Sequence, residues 1–132
     1  MSNRIKKAVP LRVLLKRLMK KADRALSVYI RRKTGKGRNG MCPLCNKKRI
    51  KVAFHFITRR RKILRWREDN VVGACSTCNY IEQFYPDVSR AWFIREYGAE
   101  KYLSLVDESQ QAFEPTVEYL QGIITKYAQA TE

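Results

Sequence analysis

Acidic residues are nearly missing from the first half of this chain. Residues 1–67 contain one carboxylate, Asp23, against 24 of the 28 lysines and arginines in the whole sequence of 132 residues. Residues 68–132 reverse the balance, with 4 basic and 11 acidic side chains, and the total is a net charge of +16. A uniform basic coat is a solubility habit, whereas a step of this size marks a face for a polyanion, since each neutralised phosphate releases counterions. DNA and RNA are the leading candidates; ribosome association and anionic lipid stay open on charge alone. Long apolar runs are also lacking: none approaches the roughly 18–20 residues of a membrane span. No cleavable signal pattern opens the sequence, so a chain that is neither exported nor membrane-spanning, and hence cytoplasmic, is expected. The basic, Gly-rich segment Thr34–Gly40 lacks the Gly-x4-Gly-Lys-Ser/Thr spacing of a phosphate-cradling loop, and reads as a hinge. No internal repeat is visible apart from the paired cysteine motifs.

What is present suits one compact domain: 45% hydrophobic and 30% charged residues are ordinary globular values. Residues 10–33 carry Leu11, Leu14, Leu15, Leu18, Ala22, Ala25, Leu26 and Tyr29 at helical spacing, with Pro10 suited to a first turn. Lys20, Lys21 and their basic neighbours fall off that stripe, giving a cationic outer surface for a DNA backbone, or alternatively for a membrane surface. Short strands are expected around His55 (52–57) and over 70–74, joined by the basic run 58–67. Pro86 opens a helix that Gly98 stops, a short helix follows over 99–106, and a last one covers 115–130.

Cysteine is used economically. All four fall into Cys42-x-x-Cys45 and Cys75-x-x-Cys78, with none left over. Two such knuckles complete a tetrahedral four-thiolate zinc site. Disulfides are the alternative, disfavoured without a secretory context. With no open coordination position, the zinc is expected to be structural.

His55 is the only histidine, set within Ala53-Phe54-His55-Phe56-Ile57. An imidazole flanked by aromatics is commonly structural. At a strand edge facing a basic loop it is also suited to deprotonating a water for attack on a phosphodiester. That reaction needs a divalent cation, for which Asn79, Glu82 and Gln83 are candidate ligands. Arg59, Arg60, Arg61, Lys62 and Arg65 are placed to bind the scissile strand, with Lys20 and Lys21 adding backbone contacts. Trp66 is expected to pack in the core rather than stack on a base.

The order CxxC, strand His, Asp69-Asn70, CxxC-Asn79 resembles a zinc-stapled HNH (ββα-metal) nuclease, and more closely the NinG/Rap family of phage recombination nucleases. The residues carrying the resemblance are Lys20-Lys21-Ala22-Asp23 through Tyr29-Ile30-Arg31, both knuckles, His55-Phe56-Ile57-Thr58-Arg59 and Arg65-Trp66-Arg67-Glu68-Asp69-Asn70. Cys78-Asn79 and Tyr97-Gly98 extend it, so it covers about residues 18–106. It implies an α+β fold: a ββα-metal core with a four-cysteine zinc site over 41–106, a long basic N-terminal helix and hinge over 1–40, and a C-terminal helical extension over 107–132. It implies a metal-dependent DNA endonuclease acting on branched recombination intermediates such as Holliday junctions or D-loops, in a host cell's cytoplasm if phage-encoded. His55 would be the general base, and Asn70 would brace the hairpin and orient His55. Asn79 would bind a catalytic Mg2+ or Mn2+, and Glu82 would bind metal or water. The plainer roles are a turn residue for Asn70, a helix cap for Asn79 and a surface carboxylate for Glu82. A homodimer, with contacts from the long N-terminal helix, would allow paired cuts. The chain departs from the pattern at Phe54, where many HNH enzymes carry a metal-binding Asp or His, and at Phe84-Tyr85, where NinG-like relatives tend to have Gly-Asn. The competing readings are a duplex-nicking HNH enzyme and an inactive zinc-ribbon nucleic-acid-binding protein.

Overall fold

The structure, a computed structural model, describes residues 8–131. Residues 1–7 of the basic N-terminal segment lie outside the described residues. Helix α1 (Leu11–Gly35) begins just after Pro10, whose carbonyl accepts from the Val13 and Leu14 N–H groups, and runs two residues beyond the expected Lys33. Its inward face is Leu18, Ala22, Leu26 and Ile30, a four-residue repeat that keeps one side against the sheet. Leu11, expected in that stripe, is exposed.

Strands β1 (Val52–His55) and β2 (Val71–Ala74) form an antiparallel hairpin, with Phe54 opposite Val72 and His55 opposite Val71. β1 stops short of the expected Ile57. The Ile57 N–H leaves the ladder to donate to the Asn70 side chain at 2.8 Å. Within the basic connection lie a helical turn, α2 (Lys62–Arg65), and a 3-10 turn over Glu68–Asn70. Helix α3 (Ser76–Glu82) starts inside the second knuckle. Helix α4 (Pro86–Tyr97) is followed at Gly98 by α5 (Ala99–Ser109), and α6 (Val117–Thr131) ends the described chain. Gly98 has φ 93°, which allows α4 and α5 to meet with no intervening loop.

Strand alternation divides the core between the two faces of the hairpin. Phe54, Phe56 and Val72 point to one face and pack with Cys42, Trp92, Phe93 and Leu105. Val71 and the partly buried Ala53 point to the other and pack with Leu26, Ile30, Trp66, Leu120 and Tyr127. Helix α6 thus covers the apolar stripe of α1 within the same chain, and the Tyr127 hydroxyl donates to the Trp66 carbonyl at 2.5 Å. The apolar stripe of α1 is therefore occupied by α6 and β2 of the same chain. No helix is long and apolar enough to cross a membrane among the described residues.

Candidate metal centre and basic edge

The first knuckle is a tight turn closed by a bridge between Met41 and Arg49. The Cys42 N–H donates to the Lys48 carbonyl and the Asn46 N–H to the Cys42 carbonyl, both at 2.8 Å. Asn46 takes φ 55°, a conformation that Asn tolerates better than most residues. The second knuckle is the start of α3, where the Cys75 sulfur caps the helix by accepting from the Cys78 N–H at 3.3 Å. The four sulfurs lie within 4.8 Å of one another, and all are free thiols. The Cys45 and Cys75 sulfurs are 3.8 Å apart. This matches the edge of about 3.8 Å in a thiolate tetrahedron with metal–sulfur bonds of about 2.3 Å.

The electrostatics of the cluster fit a cation. Burial pushes the Cys42 and Cys78 thiols up, and the neighbouring sulfurs push Cys78 higher still. Burial also acts to raise Cys45, but the Lys47 and Lys48 N–H groups and the adjoining thiols outweigh it and bring it to about 7. A divalent ion offsets the mutual repulsion of the thiolates. The four cysteines thus form a cluster that could hold a metal such as zinc.

His55 ends β1 on the face directed to α1, beside its partner Val71. Its Nε2 donates to the Arg65 carbonyl at 2.8 Å, so the proton sits on Nε2 and the lone pair on Nδ1. Among the described residues no fully buried side-chain nitrogen or oxygen lacks a partner. Among the described residues Nδ1 makes no hydrogen bond, and it is not fully buried. Burial holds the imidazole below its ordinary pKa; Arg59 and Arg65 act in the same direction, against the Arg65 carbonyl and Asp23.

Asn70 is fully buried and makes three bonds. Its Oδ1 accepts from the Ile57 N–H at 2.8 Å, and its Nδ2 donates to the Ile57 and Leu64 carbonyls at 3.0 and 3.2 Å. It ties the two ends of the connection together from inside the fold, while the hydrogen bond made by His55 is to the Arg65 carbonyl.

Asp23 was left without a role by sequence reasoning, although it is the lone acid in a cationic half. It accepts from Arg65 Nε at 3.0 Å and Nη2 at 2.6 Å, from Arg59 Nη2 at 2.9 Å and from Trp66 Nε1 at 2.9 Å. Of the expected phosphate-binding cations, Arg65 is consequently tied into the structure, its side chain 15% exposed. Arg59 also bonds Asp23, and Lys62 bonds Glu114 at 3.1 Å. Lys20, Lys21, Arg60 and Arg61 are exposed and have no acidic partner among the described residues. The acidic C-terminal third supplies counter-charges to the basic connection: Glu114 to Lys62, and Glu108 to Arg67, which also grips Asp69 at 2.7 Å.

Asn79 and Glu82 are not brought to His55. Glu82 lines an apolar cleft with Leu44, Phe54, Tyr85 and Trp92, on the hairpin face opposite His55. It accepts from the Ser89 hydroxyl at 3.2 Å, and burial raises its carboxyl pKa. Asn79 is exposed, and its suggested role as a helix cap is excluded because Cys75 caps α3. Gln83 is exposed just beyond α3. Among the described residues, the four thiols are the one set of three or more His, Cys, Asp or Glu side chains that converges. Compared with known proteins, the chain matches no family model, no curated sequence and no solved structure.

Proposed function

We propose that this protein is a zinc-stapled, HNH-type DNA endonuclease in which His55 activates the attacking water. The observation that carries the reading is the imidazole at the end of β1. Its Nε2 proton is committed to the Arg65 carbonyl, its Nδ1 lone pair has no partner among the described residues, and Asn70 braces the connection that supplies that carbonyl. A lowered pKa keeps this nitrogen unprotonated near neutral pH, as a general base requires. Exposed Lys20, Lys21, Arg60 and Arg61 border the same edge through the Asp23–Arg59 contact, which supports phosphate binding there. A divalent cation would stabilise charge on the phosphorane; in this reading it arrives with the phosphate. Preference for branched recombination intermediates rests on the resemblance to NinG/Rap nucleases.

Phe54 favours a second reading. It stands where many HNH enzymes place a metal ligand and is buried in the apolar cluster, with Glu82 turned to Ser89. A zinc-stapled nucleic-acid-binding protein without catalysis would have this arrangement.

Nicking of a labelled four-way junction and of its linear arms, in Mg2+, Mn2+ or EDTA, separates the readings. Wild type is compared with His55→Ala, whose folding is checked by thermal unfolding. Metal-dependent cutting of the junction alone, abolished in the variant, is expected. Equal cutting of both substrates would indicate the duplex-nicking enzyme. Binding without cutting in any metal would leave the non-catalytic reading.

A further inference from the structure

Helix α3 and the turn after it present aromatic rings to solvent, a feature unused by the site around His55. Tyr80 is 61% exposed, Phe84 59% and Tyr85 65%. The chain continues helically past Glu82, with the Phe84 and Tyr85 N–H groups both donating to the Ile81 carbonyl at 2.9 Å. Thr77, Tyr80, Ile81 and Phe84 therefore share one face, at the three- and four-residue steps that make helix neighbours. The Tyr80 and Phe84 rings stand edge to face, their centroids 5.3 Å apart. That contact orders the pair, and each ring stays more than half exposed.

The neighbouring charge identifies what this surface suits. At the start of the same face, the Lys48 ammonium donates to the Thr77 hydroxyl at 2.8 Å, docking the first knuckle against α3. Lys47, Lys48 and Arg49 of that knuckle are all exposed. The one acid of α3, Glu82, is half-buried and turned to Ser89, and the nearby Asp87 is paired with Arg90 at 3.1 Å. Exposed rings beside a cationic turn form the combination by which proteins hold single strands: bases stack on the rings while the backbone follows the positive charge. A paired duplex keeps its base faces stacked internally and cannot offer them.

We propose that Tyr80 and Phe84 form a stacking platform for unpaired nucleotides, with the Lys47–Arg49 turn holding the adjoining phosphates. This rests on the DNA-processing reading and deepens it. The substrate would be DNA with unpaired bases near the cut, such as a branch point, bulge or single-stranded flank.

The test is equilibrium binding of the full chain to a single strand, a bulged duplex and a perfect duplex, with 2-aminopurine at the unpaired positions. Wild type is compared with Tyr80→Ala/Phe84→Ala and with Tyr80→Phe/Phe84→Tyr. Both pairs of changes lie on the surface, and thermal unfolding checks the fold. The alanine pair is expected to weaken single-strand and bulge binding by about tenfold or more. It should also abolish quenching of 2-aminopurine while leaving duplex binding nearly unchanged, and the aromatic swap should keep both signals. An unchanged single-strand affinity in the alanine pair, or an equal loss on all three DNAs, would overturn the platform but leave the DNA-processing reading standing. A wild-type dimer that the alanine pair dissociates, at unaltered DNA affinity per chain, would reassign the rings to a protein interface. Absence of wild-type binding to any DNA at low salt would remove both proposals.

Discussion

Asp23 grips Arg65 with both carboxylate oxygens, at 3.0 and 2.6 Å, and the backbone carbonyl of that same arginine receives the Nε2 proton of His55. A helix far from β1 in sequence thereby sets the position of the imidazole. The fork geometry is specific to arginine, which presents paired donors where lysine has a point charge. Asp23→Asn keeps the size of the side chain but removes the charge from an anchor shared by Arg59, Arg65 and Trp66. A loss of about 2 kcal/mol in unfolding free energy is expected, read from urea denaturation. In the nuclease reading, the cleavage rate should fall beyond what the lost stability explains, because Arg65 no longer holds the carbonyl that orients His55. An unchanged urea midpoint would show that the anchor is dispensable.

The knuckles were legible in the sequence because the CxxC spacing is itself the geometry of the turn. The hairpin and the order of helices were also legible, since alternation at Phe54 and Phe56 and the Pro86 and Gly98 boundaries report local preferences. What did not show was long-range pairing. Nothing near Arg65 in the chain reveals that a carboxylate 42 residues earlier holds it, so Arg65 read as a free phosphate contact. Glu82 and His55 are on opposite faces because Phe54 and His55 alternate along β1 and Phe54 is the one that faces α3. The cover of α1 by α6 was equally hidden, since two amphipathic helices at opposite ends of a chain carry no mark of each other.

Removing metal should undo the first knuckle. Residues 42–49 are held by short turns around sulfur, with Cys42 buried and Cys45 partly so, and the thiols repel one another once ionised. The purified protein is expected to carry one zinc ion per chain by elemental analysis. A strong chelator should lower the melting temperature by well over the roughly 4–8 °C that 1 kcal/mol produces in a small domain. Cys45→Ser should do the same without chelator. A metal-free protein with an unaltered melting temperature would remove the zinc assignment.

The buried histidine predicts a pH dependence of definite sign. The His55 pKa in the folded protein lies below its ordinary value, so between the two the unfolded chain binds more protons and stability rises with pH. Its contribution is complete above about pH 6.5 and is lost as pH falls through the folded-state value. Glu68 and Asp69 also lose stability on acidification. Burial acts to raise both, but hydrogen bonds from Lys33 and Tyr29, and from Arg67 and Lys101, hold them below their ordinary values of 4.5 and 3.8, so their loss comes at lower pH. Glu82, raised by burial, works with the opposite sign. Urea midpoints at about pH 5.5 and about pH 7.5 should therefore differ more in wild type than in His55→Gln. Both proteins keep all four cysteines, so acid effects on the metal centre cancel in the comparison. Equal differences would show that burial does not lower the His55 pKa in the folded protein.

Gly73 tests whether the seating of α1 on the hairpin controls the site. A Cβ built there would lie 2.8 Å from the Ile50 methyl carbon, 3.1 Å from the Arg31 Cα and 3.3 Å from the Thr34 Cβ. The Gly73 N–H also donates to the Thr34 hydroxyl at 2.8 Å, locking the end of α1 to β2. Ile50 can rotate away, but the Arg31 backbone cannot, so Gly73→Ala must move α1 outward. Overpacking of this kind costs about 1–3 kcal/mol, and the loss should appear as a lower urea midpoint with an unchanged slope. The displacement also pulls Asp23, on the same helix, away from Arg65. Because Asp23 acts to raise the imidazole pKa, His55 should then titrate below its wild-type value, a shift that NMR of this single imidazole would read directly. A destabilised variant whose His55 titration stays at the wild-type value would show that α1 seats the hairpin without governing the histidine.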